Sequence, residues 1–370
     1  MNRRNWLGAT LGLFSAIGDA AATPDSPTDV LFGGSRFRHS ANSPERFGLV
    51  RDIPPSAQAP ASVVLADSHF FPHGWAIDPQ KPERAFFFEK QGPGAGVFDL
   101  RSMQLTDRLE PVKQRNFYGH GVIAKQGTLL LSTESDAQGV GAIGVRDAKT
   151  LQYLGDFPTY GERPHDCHLV DSGRVLVVSN GGGIADTGAT PCVTYIEVQS
   201  QRLLHKHEMP GQNYNTGHLA PIDASKTIVV SAPRLGLGPD YAGAVSFCNG
   251  RDKQLQVMHP PQDLSPGLLG EALSVLVIPE RDLVVVTHPT PGWLTLWSLK
   301  HKAFKKSVRM ERVRGIARTS DGKGLWLAHG AGGALGRMEL DTMALSPAFD
   351  IPQSLISGSH LLNWPQAGGA

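Results

Sequence analysis

The stretch "RPHDCHLVDSGRVLVVSNGGG", residues 163–183, reads as a short strand, a "VDSG" turn, and then "RVLVVSN", a β-branched run that ends in small polar residues. An apolar run of about 4–8 residues between turn signals is the pattern of a strand packed on both faces. Runs of the same kind recur along the chain as "RAFFFEK", "GTLLLSTES", "KTIVVSAP", "RDLVVVTHP" and "KGLWLAHG". A third strand follows each, as in "GVFDLRS", "VTYIEVQSQ" or "WLTLWSLKH", and then a fourth that runs out at Pro or Gly. The unit is therefore four-stranded, and its period of roughly 45–50 residues is that of propeller blades.

Unit starts fall near His73, His120, His165, His218, Glu271, Gly315 and His360. The seventh unit has only "SHLLNW" before the chain ends, but "TDVLFGGSRF", "RFGLVRD" and "SVVLADS" near the N-terminus match second, third and fourth strands. The expected fold is all-β: a seven-bladed β-propeller closed by pairing the C-terminal strand with the N-terminal strands. Closure of this kind removes the exposed sheet edges of an open array. A single domain over residues 23–370 is expected, as a monomer.

Composition narrows the function classes. The chain carries 35 Lys+Arg against 34 Asp+Glu, a formal net charge of +1, and its densest basic run is "KHKAFKK", so it lacks the electrostatic footprint of a nucleic-acid binder. Residues 1–22 read as an export signal: Arg3-Arg4, an apolar run from Trp6 to Ile17, and small residues to Ala22. The adjacent arginines point to the twin-arginine route and a periplasmic destination. The apolar run is too short to span a membrane, and no other stretch is long enough. Three cysteines, Cys167, Cys192 and Cys248, leave at least one unpaired or a ligand. A Cys167–Cys192 bridge stays open, and Cys167 is expected to pack between blades.

The blade starts carry the chemistry. His73, His120, His165, His218 and His360 open five of the seven units. In a propeller the first strand of each blade lines the central channel, so symmetry gathers these residues around one axis. Imidazoles facing a shared channel suit Fe, Cu, Zn or Ni, and neutral imidazole also serves as an axial haem ligand. Asp166, His168, Glu271 and Arg314 are supporting candidates, with Asp166 orienting a histidine. The competing reading is that an ancestral His persists because His–Gly suits a tight turn into a strand. On a regular strand His165 and Cys167 would face one way and Asp166 and His168 the other. No nucleophile elbow, Walker loop, dinucleotide fingerprint or H-E-x-x-H is present, and the absence of C-x-x-C-H excludes standard covalent c-type haem attachment.

With its leader, its repeats and the motifs "HGWAIDP", "YGHGV", "RPHD" and "SNGGG", the chain resembles the bacterial exported domain-of-unknown-function family 1513. The resemblance covers essentially the whole mature chain. It implies a periplasmic YVTN/WD40-like propeller, often encoded beside imelysin-type iron-regulated proteins and di-haem cytochrome oxidoreductases, which would be its partners in iron or other metal acquisition. It supplies no catalytic residues. Three readings follow: an accessory protein whose His-lined channel mouth binds a transition metal (Fe or Cu favoured) or non-covalent haem; a propeller enzyme, lactonase-like or a metal-dependent oxidoreductase; and a protein-interaction platform with structural histidines.

Overall fold

The computed structural model describes residues 28–38, 43–55, 60–238, 240–346, 349 and 351–364. The leader assigned to residues 1–22 lies outside them. The described residues form seven four-stranded antiparallel sheets, six of them from consecutive strands. Blade 1 begins with Gly74–Asp78, blade 2 with Arg115–Ala124, blade 3 with Pro164–Val170, and blade 4 with Leu219–Pro221. Blades 5 and 6 begin with Val275–Ile278 and Ile316–Arg318. Blade 7 joins the two ends of the chain: Leu362–Asn363 pairs with Leu31–Phe37, which continues to Arg46–Ile53 and Ser62–Ser68. Among the described residues the only helices are short 3-10 turns, and none is long and apolar enough to cross a membrane.

The packing explains why second strands are apolar throughout. Phe86 and Phe88 pack with Phe117 and Leu130 of blade 2, whereas Phe87 packs with Phe32 and Trp364 of blade 7. Alternate side chains thus enter the cores on the two sides of one sheet, as the period-2 pleat requires. The same arrangement repeats in Val175 and Val177 against blade 4, with Leu176 and Val178 against blade 2. Each fully buried aliphatic or aromatic side chain contributes about 1.5–3 kcal/mol, so the interblade seams dominate stability. The first strands have one core edge and one edge on the axis, where the side chains need not be apolar.

Candidate metal centre

Two first strands are bent where they meet the axis. In blade 2, Phe117 pairs with Glu134 but Gly121 with Ser132, so extra residues bulge out around His120. In blade 3, Pro164 pairs with Asn180 and Cys167 with Val178, leaving a bulge at His165 and Asp166. Bulges re-aim side chains and are common beside functional sites. Gly119 adopts φ +118, a conformation glycine tolerates, and a Cβ on Gly74 would lie 2.4 Å from the Gly119 carbonyl. A hydroxyl on the neighbouring second strand ties down the entry to the first strand in blades 2, 3 and 5. The His120 N–H donates to Thr133 Oγ1 (3.3 Å), the Asp166 N–H to Ser179 Oγ (3.0 Å), and the Ser274 N–H to Thr287 Oγ1 (3.0 Å).

The five histidines meet. Ligand atoms of His73, His120, His218 and His360 all lie within 4.8 Å of one another. His218 is the hub: its Nε2 is 2.8 Å from His165 Nε2, 2.9 Å from His360 Nε2 and 3.4 Å from His73 Nε2. His73, His120, His165 and His218 are buried, and His360 is half-buried.

Partners on the far side of the rings set the tautomers. His218 Nδ1 lies 2.6 Å from the Leu273 carbonyl and His165 Nδ1 lies 3.3 Å from the Tyr118 carbonyl. A carbonyl only accepts, so each Nδ1 carries the proton and each Nε2 is left with a lone pair. His120 Nδ1 faces Asp166 Oδ1 at 3.1 Å, and its buried Nε2 has no hydrogen-bond partner. Three lone pairs therefore converge on the axis. Burial resists the alternative of protonating a ring, since desolvation pulls His120 down to about 3 and holds His73, His165 and His360 well below the usual range.

Asp166 anchors this arrangement. It accepts from His120, from His168 Nε2 (3.2 Å) and from the Leu219 N–H (2.8 Å) of the next blade. Burial would raise its carboxyl, but His120 and His168 outweigh that and hold it well below the carboxylate range. A carboxylate behind a ligating histidine fixes the ring and strengthens it as a donor. The regular-strand expectation fails here, because the bulge lets Asp166 and His165 both serve the axial cluster. Cys167 is buried between blades 2 and 3, and all three cysteines are unpaired.

Blades 5 and 6 contribute no ligand: blade 5 enters three residues after the start expected at Glu271, whereas blade 6 starts at Gly315 as expected, a residue with no side chain to offer. In blade 4 the Gly217 N–H donates to Val230 O and the Val230 N–H to His218 O. The same pair of bonds in blade 5 uses Leu273, Thr287 and Ser274, and in blade 6 uses Arg314, Ala328 and Gly315. Ser274 and Gly315 thus stand where His218 does. Glu271 lies three residues ahead, lining a cavity on the mouth side, and Arg314 lines a separate pocket with Arg312 and His329. The hydroxyl of Thr287, matching Thr133 and Ser179, was the signal for the register of blade 5.

The cluster separates two cavities. One of about 620 Å³ runs along the first strands past His120, Asp166, His168 and His360; another of about 400 Å³ opens among the loops at His165, Lys90 and Tyr118. His218 lines both.

Imidazole nitrogens about 2.0–2.1 Å from one ion are roughly 2.9 Å apart at right angles and 3.4 Å apart at tetrahedral angles. The contacts of 2.8, 2.9 and 3.4 Å from His218 match that range, and the four-histidine group, within 4.8 Å overall, would draw in by a few tenths of an ångström to share one ion. The residues fit a bare transition-metal ion. They fit haem less well, since haem takes only axial ligands and five rings crowd this point.

Comparisons place the fold among known ones. The hydrazine synthase of Kuenenia stuttgartiensis is similar in structure (TM-score 0.61, 11% identity, 89% of this chain and 99% of that one). A chain of the mitotic checkpoint complex is also similar (TM-score 0.58, 12% identity, 80% of this chain and 86% of that one). At these identities the likeness is one of fold alone. No curated relative matches by sequence. Residues 71–353 match the family described as "Protein of unknown function (DUF1513)", and the chain belongs to that family.

Proposed function

We propose that the protein binds one transition-metal ion at the propeller axis, through His218, His120, His73 and His360 with His165 beside them. The observation that carries this reading is the meeting of proton-free Nε2 atoms in a buried site that resists protonation. With the proton on each Nδ1, the Nε2 lone pairs of His165 and His218, 2.8 Å apart, repel, and an ion bound by both relieves that repulsion. Borderline imidazole donors suit Fe, Cu, Zn or Ni, and iron or copper is the reading adopted here.

The biological role proposed with it is an accessory one in metal acquisition, in the periplasm after export through the leader at residues 1–22, alongside imelysin-type or di-haem cytochrome partners. The family's usual neighbours and the arginine pair support that role.

The test is metal analysis of protein purified from the periplasm and of protein reloaded after chelation. One ion per chain is expected, lost in a His120→Ala/His218→Ala double variant and kept in His205→Ala, which changes an exposed histidine far from the axis. Equal metal uptake by all three proteins, or none by the wild type, overturns the reading.

A further inference from the structure

The mouth cavity holds a cation with no ion-pair partner among the described residues. Lys90 follows the second strand of blade 1, Lys81–Phe88, and its ammonium bears on all five axial imidazoles. Among the described residues it makes no hydrogen bond and no ion pair. It is open to the water of the mouth yet ringed by protein, and desolvation pulls its ammonium down. Glu271 is near enough to oppose that shift but is not in ion-pair contact.

The other groups around the cavity are committed differently. Arg163 Nη1 is held by the Gly182 carbonyl (3.0 Å). Tyr118 OH accepts from Gln91 Nε2 (3.0 Å), which leaves its own hydroxyl proton free to donate. Pro233, Leu235 and Ala272 give the cavity an apolar wall. Its volume of about 400 Å³ is in the range that encloses small ligands.

We infer that this mouth cavity binds a small monocarboxylate that reaches the axial metal beside His165 and His218, with Lys90 as its counter-charge and the Tyr118 hydroxyl as a donor. The inference rests on the metal reading above. One unpaired ammonium beside Glu271 suits a single negative charge and penalises a dianion such as phosphate. The apolar wall suits the hydrocarbon remainder of an organic acid better than a bare inorganic anion.

The test uses the full chain loaded with Cu(II) as a spectroscopic probe and titrated with benzoate. A saturable shift of the copper absorption is expected, with inorganic phosphate binding more weakly. Lys90→Met should weaken benzoate binding about ten- to hundredfold, as expected for loss of a charge-assisted hydrogen bond. Lys90→Arg should stay within a few-fold of wild type, and Glu271→Gln should bind benzoate more tightly. If the protein holds copper but benzoate leaves its spectrum unmoved, the carboxylate site is refuted while the metal centre stands. Phosphate binding more tightly than benzoate, or an equal response from Lys90→Met, also refutes it. A wild type that takes up no metal refutes both.

Discussion

His218 Nε2 lies 2.8 Å from His165 Nε2, and each ring turns its other nitrogen to a backbone carbonyl, Leu273 for one and Tyr118 for the other. The two residues come from adjacent blades, so the contact is set by the rigid packing between sheets and is not easily relaxed. A metal ion bound as proposed would convert this contact into two coordinate bonds.

His218 also touches His360 and His73, whereas His165 touches only His218 among the Nε2 contacts described. Metal binding should therefore suffer more from His218→Ala than from His165→Ala. A ligand that binds only the folded state raises the melting temperature in proportion to the logarithm of its concentration over Kd. Thermal melts with and without added metal should show the metal-induced rise abolished in His218→Ala and reduced but present in His165→Ala. The reverse order would remove His218 from the centre of the site.

Asp166→Asn tests the carboxylate behind His120. The amide keeps the size of the side chain and can still accept from the Leu219 N–H, but it no longer favours a proton on His120 Nδ1. Loss of such a partner typically costs 10–100-fold in metal affinity. A competition titration against a chelator should show that loss with a near wild-type circular dichroism spectrum. Unchanged affinity would make Asp166 a purely structural link between blades 3 and 4.

The blade pattern was legible because second strands are sandwiched between neighbouring sheets and must be apolar on both faces, as Phe86, Phe87 and Phe88 show. The five histidines were legible because the repeat places them at one register. Glu271 misled because the chain enters blade 5 three residues later, at Ser274, and a period of about 45–50 residues does not resolve such an offset. Asp166 was legible as the residue orienting a histidine, but the alternation that set it on the opposite face from His165 failed, because alternation holds only without a bulge, and the bulge at His165 shows only in the pairing of Pro164 with Asn180 and Cys167 with Val178. Lys90 carried no signal at all, since its position over the cluster depends on how the loop after a second strand turns towards the axis.

Acid should destabilise the metal-free protein early. In the unfolded chain the histidines take up protons as pH falls through about 6.5. Folded, His120 stays neutral to about 3, and His73, His165 and His360 are held well below their usual range, mainly by desolvation. The unfolded state thus binds more protons, so stability rises with pH in this window and is lost as pH drops below about 6.5. Each such group contributes up to about 1.4 kcal/mol per pH unit. His168 works with the opposite sign: Asp166 raises it against the pull of burial, so its contribution is full in acid and fades as pH rises through its folded value. One group does not offset the several acting the other way. Melting temperatures of chelator-treated protein should fall steadily from pH 7 to pH 5, and metal should blunt the fall. A flat profile would show that the axial rings are not buried and neutral.

Closure of the ring gives the last test. Leu362–Asn363 is a short strand, pairing only with Leu31 and Phe32, so side chains must hold it. Asn363 Oδ1 accepts from the Val30 N–H (3.1 Å), and its Nδ2 donates to Asp29 Oδ1 (2.5 Å) and to the Arg318 carbonyl (2.9 Å). Asp29 in turn accepts from Trp326 Nε1 (2.7 Å), which ties blade 6 into the same joint. Beside it, Leu361 and Trp364 are buried against opposite neighbours, Leu361 with Trp326 of blade 6 and Trp364 with Phe87 of blade 1. Asn363→Ala leaves partners unpaired and should cost about 1–3 kcal/mol. Trp364→Ala empties a large buried volume and should cost about 3–5 kcal/mol. Denaturant melts should rank the two in that order. Because His360 lies just before this strand, metal affinity should fall with Trp364→Ala even where the protein remains folded. If both variants melt like the wild type, the C-terminal strand does not close the propeller, and His360 loses the support that brings it to the axis.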